Sequence, residues 1–524
     1  MKRRTTGRTA GLVLLGLVGL AATPNGPEPR RIKRAVLEDK IRGGWAAQMI
    51  GVSFGAPTEF RSNGRIIEGK LPWTADRVSG ALRQDDLYVE MTFAAVMDKV
   101  GLDATTEQYG EAFRTSKYPL YHGNGAARRL LNQGVAAAQS GHPRYNIHAN
   151  DIDFQIEADF IGLMTPGLPA ETSRYCERVG RLMSHGDGFY GGLMTAAMYS
   201  AAFFETSVLE IVKQGLATIP EESGYARIIR DVIDLWKRYP SDWRRAWREL
   251  NAKWDKDDAC SVQGALEDFN IDARLNGAYV VMGLLYGAGD FAATLEITTR
   301  LGQDSDCNPA SAAGILGVVL GYSGIPDVYK AGIPALADTL FAYTEYSLNE
   351  ITRSTVARAL AVVERAGGNV TGDDILVPVQ RPVVAALEQW DMGPAKSHLD
   401  ASDSAWTFRG DWRNEAIWYG GGMALRKTST QAGNEAILSF EGTAVALVGR
   451  MGQDAGRADV LLDGKAAGTI DGYVPERTTD NALWHAFGLA PGKHTLRIVT
   501  RADADSQSTG RRLEISYAVI YESR

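Results

Sequence analysis

Cysteine is scarce: Cys176, Cys260 and Cys307 are the only three in 524 residues. They are too few and too scattered for a disulfide scaffold or a four-cysteine zinc site. Positive charge is in deficit, with 56 Lys and Arg against 63 Asp and Glu and a formal charge of −7. That balance argues against a general nucleic-acid binder, which would be basic. No segment beyond the N-terminal stretch holds 18 uninterrupted apolar residues, so no stable membrane insertion is expected of the mature chain. Short-period repeats are missing too. What is present is ordinary for a globular protein, 45% hydrophobic and 23% charged residues, and at roughly 100–200 residues per domain the length predicts two or three domains.

The N-terminus has the layout of a signal peptide. Lys2, Arg3, Arg4 and Arg8 precede an uncharged run from Thr9 to Thr23 that contains Leu12-Val13-Leu14-Leu15 and ends in Ala21-Ala22. The apolar part is shorter than the roughly 20 residues a spanning helix needs, and prolines follow from Pro24. Residues 1–30 therefore read as signal peptide and short linker, and the protein as secreted or periplasmic, with Arg3-Arg4 leaving the Sec and twin-arginine routes both open.

From Lys33 to Leu360 the pattern is helical. Val36, Leu37, Ile41, Trp45, Met49 and Ile50 recur at three- and four-residue spacing, and Leu193 to Phe204, Leu275 to Leu285 and Ala310 to Leu320 read as buried helices rich in small residues. From Trp406 onward short alternating segments are separated by turns such as Asp463-Gly464, Asp471-Gly472 and Pro491-Gly492. The predicted architecture is an all-α domain over 33–365, a linker over 366–400 and a β-sandwich over 401–524.

Acidic residues gather at two predicted helix starts. Asp85-Asp86 precedes the periodic run from Leu87, and Asp304 and Asp306 precede the apolar run from Ala310. Such carboxylates cap orphan amides and complement the helix dipole. Two acidic entries facing each other also supply the oxygen ligands a hard divalent cation requires, and that second role is favoured because both lead into apolar helices. Glu59 follows the Gly/Pro-shaped end of the first helix. Asp153 and Glu157 fall four apart in a further acidic stretch, where like charges on a helix repel by a few tenths of a kcal/mol. His185-Gly186-Asp187-Gly188 opens a small-residue helix whose amides suit an anion or a sugar. Gly51-Val52-Ser53-Phe54-Gly55 matches a nucleophile-elbow motif, but a helical pattern leads into it where a strand is required. The segment Trp236 to Trp254, with Trp243, Arg244, Arg245, Trp247 and Arg248, reads as helix packing with a solvated basic edge.

Taken together, these segments resemble the ADP-ribosylglycohydrolase superfamily over roughly residues 33 to 345. Gly51 to Phe60 resembles its G-D-x-x-G-x-x-x-E-F, Gln84-Asp85-Asp86 its Thr-Asp-Asp, and Gly302 to Cys307 its G-x-D-x-D-[ST]. The resemblance implies an all-α bundle with a Mg²⁺ or Mn²⁺ site of one or two ions, held by Asp85, Asp86, Asp304, Asp306 and Gln84. It places Glu59 near the scissile ribose and His185 in contact with substrate. Val52, Gln84 and Cys307 depart from the family pattern, and sulfur is a poor partner for Mg²⁺. The sandwich resembles carbohydrate-binding modules, with Trp406, Trp412, Trp418, Tyr419, Tyr473 and Trp484 as candidate sugar-stacking residues, one or two of them expected to be exposed.

The expected activity is metal-assisted glycoside cleavage of a ribose-like furanoside. Glu59, Glu157 and Asp153 are the candidate catalytic acids, and His185, Gly186 and Asp187 the substrate-binding group. Two alternatives stand beside it: an ADP-ribosyl hydrolase acting on protein or nucleotide, and a catalytically idle sugar-binding protein. Expected partners are a carbohydrate or glycoconjugate, with no nucleic acid.

Overall fold

The computed structural model describes residues 27–255, 262, 264–390, 392–419, 422–475, 478 and 480–523. The predicted signal segment up to residue 26, Cys260, and the side chains of Trp418 and Tyr419 lie outside what is described.

The N-terminal part is helical from Arg34 to Arg365. Its axis is the Arg34–Gly55 helix packed along the Cys307–Gly324 helix. Small residues permit the approach: a Cβ on Gly43 would strike the carbonyl of Gly317, and one on Gly51 the carbonyl of Pro309. Trp45, fully buried beside this seam, donates from Nε1 to Thr355 Oγ1 at 3.1 Å, so the largest core side chain keeps its polar atom satisfied. The last helix, Leu348–Arg365, starts with a capping box in which Ser347 and Glu350 satisfy each other's backbone amides. Among the described residues no helix is long and apolar enough to cross a membrane.

The C-terminal part is an antiparallel sandwich. One sheet runs Lys465–Asp471, Arg457–Leu462, Lys493–Thr500, Glu435–Glu441, Trp406–Arg409. The facing sheet runs Asp480–Ala486, Ala444–Arg450, Tyr517–Tyr521, Ala395–Asp400. Strand Glu435–Glu441 alternates between buried and open positions as a half-exposed strand must. Strand Ala444–Arg450 is buried at every position. Its Val445 and Leu447 enter the sandwich core, whereas Ala444, Ala446 and Val448 join Ile147, Val262, Ala265 and Met392 in a separate apolar cluster that glues the sandwich to the helical domain. Replacing Ala446 by Arg should therefore cost about 3–5 kcal/mol, the penalty of an uncompensated buried charge. Chemical denaturation of the full chain measures it, and an unchanged midpoint would show that this face is open to water.

The predicted linker 366–400 is ordered throughout its described residues. Asn369–Thr371 and Asp374–Val377 form a small sheet with Arg30–Lys33, and Ala395–Asp400 is an edge strand of the sandwich. Between them the chain lies on the helical domain as a strap. Ala385 donates to the Thr218 carbonyl at 3.0 Å, Tyr190 to the Ala386 carbonyl at 2.7 Å, and Ser173 to the Val383 carbonyl at 3.2 Å.

Candidate active site

The two acidic entries meet. Gln84, in an extended conformation and without a capping bond from its side chain, precedes the Asp85–Val100 helix and puts Asp85 and Asp86 in its first turn. On the other side, Gly302 and Gln303 both take left-handed conformations, φ 85° and 55°. The Gln303 side chain locks the loop by accepting from the Asn270 amide at 2.9 Å and donating to the Asp268 carbonyl at 2.8 Å. Cys307 then opens its helix and donates from Sγ to Asp86 Oδ2 at 3.4 Å, across 221 residues of sequence. Glu59 is carried to the same place. Gly55 lies so close to the Ser305 carbonyl that no side chain fits, Thr58 Oγ1 is 2.8 Å from Ser305 Oγ, and the Phe60 amide donates to the Gln303 carbonyl at 3.1 Å.

Asp86, Asp304 and Asp306 are almost fully buried and Asp85 partly so. Burial first, then the neighbouring carboxylates, pushes Asp86 and Asp306 well above the ordinary range. Burial likewise raises Asp304 to about 7, with Glu59 and Asp86 adding to it. Glu59 is open to solvent on its outer side. Burial of its carboxyl, then Asp306 and Asp85, against the opposing charge of Arg61, raises it to about 8. Asp86 Oδ1 and Asp306 Oδ1 are buried with no hydrogen-bond partner. Such orphaned oxygens are costly unless protonated or bound to a cation. An all-carboxylate donor set of this kind fits Mg²⁺ or Mn²⁺. Burial holds Cys307 as a protonated thiol, so it serves Asp86 as a donor.

Asp153 and Glu157 bound the short helix Asp153–Glu157. Asp153 accepts from the amides of Gly123 at 3.1 Å and Asn124 at 2.8 Å, at the start of the His122–Asn132 helix, and burial raises it to about 7. Glu157 takes a bond from the Asn124 side chain on Oε1 while its buried Oε2 has no partner. Burial, then Asp153, keeps it well above the usual carboxylate range.

His185, Gly186 and Asp187 form a separate group. Strap residue Glu388 accepts from the Gly186 amide at 2.8 Å and from Arg181 at 2.9 Å, and lies 3.3 Å from His185 Nε2. Asp187 accepts from the Tyr225 amide at 2.9 Å. The strap thus occupies hydrogen-bonding capacity that the sequence reading left to a sugar.

Asp159, at the end of the same acidic stretch as Asp153 and Glu157, shares a buried partner with Glu90, which sequence reasoning missed. Gln48 Nε2 donates at 3.0 Å both to Glu90 and to Asp159, Phe160 donates its amide to Glu90 at 2.8 Å, and Tyr199 donates to Asp159 at 2.7 Å. Glu90 sits inside an apolar helical run, and only the partners brought by folding mark it. Burial raises Asp159 to about 8, so the native chain holds a proton that the unfolded carboxyl releases near 3.9. The unfolded state binds fewer protons in that window, and stability falls as pH rises from about 4 to about 8. Asn at position 159 keeps both acceptor roles and does not titrate. Asp159→Asn should therefore flatten the decline of stability between pH 5 and 8 by up to about 1.4 kcal/mol per pH unit; denaturation midpoints across that range measure it, and an identical slope would place the proton elsewhere.

Ser53 lies buried within the first helix, bonded to the Val78 carbonyl and the Ala81 amide, so the nucleophile-elbow motif is incidental. Trp247 and Trp254 are buried and donate to Leu301 and Asp231, and Arg244 pairs with Glu68, which makes that segment packing with a charged edge. In the sandwich Trp406 is core, and Trp412, Tyr473 and Trp484 are half-buried. None of these four is an exposed platform. Tyr473 and Trp484 instead line a cavity of about 1890 Å³ between the two domains. The metal-site carboxylates do not line this cavity. It adjoins them through Tyr121, whose hydroxyl feels Asp85 and Glu59, and through Tyr343, packed on Tyr88 at 5.3 Å.

These features define a helical domain with a buried acidic centre, packed against an antiparallel sandwich. The chain belongs to the ADP-ribosylglycohydrolase family, whose model matches residues 33–365. Two curated relatives from Flavonifractor plautii are similar to parts of it. A type blood N-acetyl-alpha-D-galactosamine deacetylase is 30% identical over 146 residues, 28% of this chain and 18% of its own. A type blood alpha-D-galactosamine galactosaminidase is 34% identical over 120 residues, 22% of this chain and 11% of its own. The chain thus spans less than a fifth of either relative. Among solved structures, an ADP-ribosylglycohydrolase-related protein complex aligns over 62% of this chain and 98% of its own, at 13% identity and a TM-score of 0.44. The CBM36-1 domain of a xylanase from the hindgut metagenome of Trinervitermes trinervoides aligns over 24% of this chain and 94% of its own, at 15% identity and a TM-score of 0.17.

Proposed function

We propose that this protein is an exported, divalent-metal-dependent glycoside hydrolase that cleaves the anomeric bond of a ribose-like furanoside in a glycan or glycoconjugate. The observation that carries this reading is the junction of Asp86 with Cys307, which brings Asp85, Asp86, Asp304 and Asp306 together beside Glu59. The four aspartates would hold Mg²⁺ or Mn²⁺, with Gln84 at the edge of the set; when bound, the ion supplies Lewis-acid polarisation and orients sugar hydroxyls. Glu59, raised by burial and by Asp306 and Asp85, would exchange a proton with the leaving group or with water. Asp153 fixes the start of the helix that carries Asn124, and Asn124 in turn orients Glu157. The wide cavity shared with the sandwich suits a substrate larger than one sugar, and the two Flavonifractor plautii relatives carry names that specify an N-acetylgalactosamine or galactosamine sugar.

One observation favours the second reading, ADP-ribosyl hydrolysis. Among the described residues, Arg114, Lys117, Arg128, Arg129, Arg144 and Arg457 line the cavity against Asp471 and Asp505, both of which pair with Arg457; this wall favours an anionic ligand such as a pyrophosphate. The deciding experiment is a screen of the purified chain against aryl furanosides, aryl pyranosides and ADP-ribosyl substrates, each with Mg²⁺, with Mn²⁺ and with EDTA. Metal-dependent release from a furanoside supports the first reading and turnover of ADP-ribosyl substrates alone supports the second. Silence on all three with metal present would leave an idle sugar-binding protein.

A further inference from the structure

A second cluster with a different donor set lies outside the acidic cleft. His122 begins the His122–Asn132 helix in a left-handed conformation, φ 40°. His148 and Asp151 stand on the loop that leads to the Asp153–Glu157 helix. His148 Nδ1 is 2.8 Å and His122 Nδ1 3.6 Å from the same Asp151 Oδ2, and the three ligand atoms all lie within 4.8 Å of one another. Around a zinc ion with bonds of about 2.0–2.2 Å, tetrahedral ligand atoms stand roughly 3.3–3.6 Å apart, so small side-chain rotations would seat an ion.

A His148–Asp151 hydrogen bond accounts for two of these groups and leaves the third unexplained. His122 Nδ1 is buried with no hydrogen-bond partner, a condition native structures rarely tolerate without an ion or water. Its ring is held in place by Phe269, centroids 6.1 Å apart and 25° between planes, and by His148 at 5.9 Å. Burial keeps both imidazoles neutral, with His122 lowered to about 4; neutral is the form that coordinates a metal. His122 and His148 also line the interdomain cavity.

We propose that His122, His148 and Asp151 form a transition-metal site, suited to Zn²⁺, on the floor of the interdomain cavity and distinct from the aspartate centre. Two imidazoles and one carboxylate favour a borderline ion over Mg²⁺, which prefers oxygen alone. Three protein ligands with an open fourth position is the arrangement in which zinc keeps a water or takes a substrate oxygen. The site lies one aromatic stack from the cleft, since Phe269 packs on Phe60 at 4.9 Å and Phe60 adjoins Glu59.

The test counts bound metal, so it stands or falls apart from the glycosidase reading. Full-length chain is stripped with chelator, loaded with Zn²⁺, desalted and assayed by elemental analysis, for wild type, His148→Ala, His122→Gln and Asp304→Asn. Circular dichroism confirms folding, and His122→Gln, which keeps an amide at the position, serves if His148→Ala fails to fold. Each histidine variant should retain about one Zn²⁺ per chain fewer than wild type, and Asp304→Asn should keep about one, because the aspartate centre also accepts Zn²⁺. Equal zinc in all four proteins, none in wild type, or loss only in Asp304→Asn would each overturn the proposal.

Discussion

Asp304→Asn should abolish metal-dependent turnover while leaving the chain folded. If a bound cation contributes several kcal/mol of Lewis-acid stabilisation, then at 1.4 kcal/mol per factor of ten kcat falls by about 10³-fold, and Asp86→Asn should do the same. Stability should move the other way without metal. Burial, with Glu59 and Asp86 adding to it, raises Asp304 to about 7; a neutral amide removes both the cost of a buried charge and the repulsion, so the variant in EDTA should melt at or above wild type. Mg²⁺ should then raise the melting temperature of wild type, as any ligand of the native state must, and leave Asp304→Asn unmoved. Full activity in both variants, with metal still stabilising them, would remove the aspartates from the reaction.

Glu59→Gln should lower kcat by about 10²–10⁴-fold, the usual contribution of a positioned acid or base, with little change in the melting response to Mg²⁺. Gln keeps the shape and loses the proton. Glu59 titrates high because of burial of its carboxyl and then because of Asp306 and Asp85. A cation on those aspartates offsets part of that repulsion and brings Glu59 down, so the pH limb that Glu59 imposes on wild-type kcat/KM should lie below about 8 with metal bound and be missing from the residual activity of the variant. A wild-type rate in Glu59→Gln would shift the proton transfer to Glu157.

How much of this was legible beforehand differs from residue to residue. Asp85-Asp86 and Asp304-x-Asp306 could be read because each pair sits at a helix start that local pattern alone predicts. The turns between sandwich strands are equally local. Glu90, Asp159, His122 and His148 could not be read as partners. Glu90 has its carboxyl bonded to Gln48, 42 residues away, and to the amide of Phe160, 70 residues away, and nothing in either neighbourhood marks the pairing. The aromatic residues of the sandwich were legible as residues but not as a surface: Tyr473 and Trp484 face the helical domain across the cavity because strand Ala444–Arg450 docks there.

The sequence by itself determined the division into a helical and a β part, the acids at two helix entries and the turn that carries Glu59, because capping, periodicity and turn chemistry act within a few residues. Only the tertiary structure decided that Asp86 touches Cys307 across 221 positions, that Glu388 of the strap lies on His185, and that the central sandwich strand is buried on both faces. Those facts arise from which apolar faces cover one another, and a local pattern shows that a face must be buried without naming what buries it.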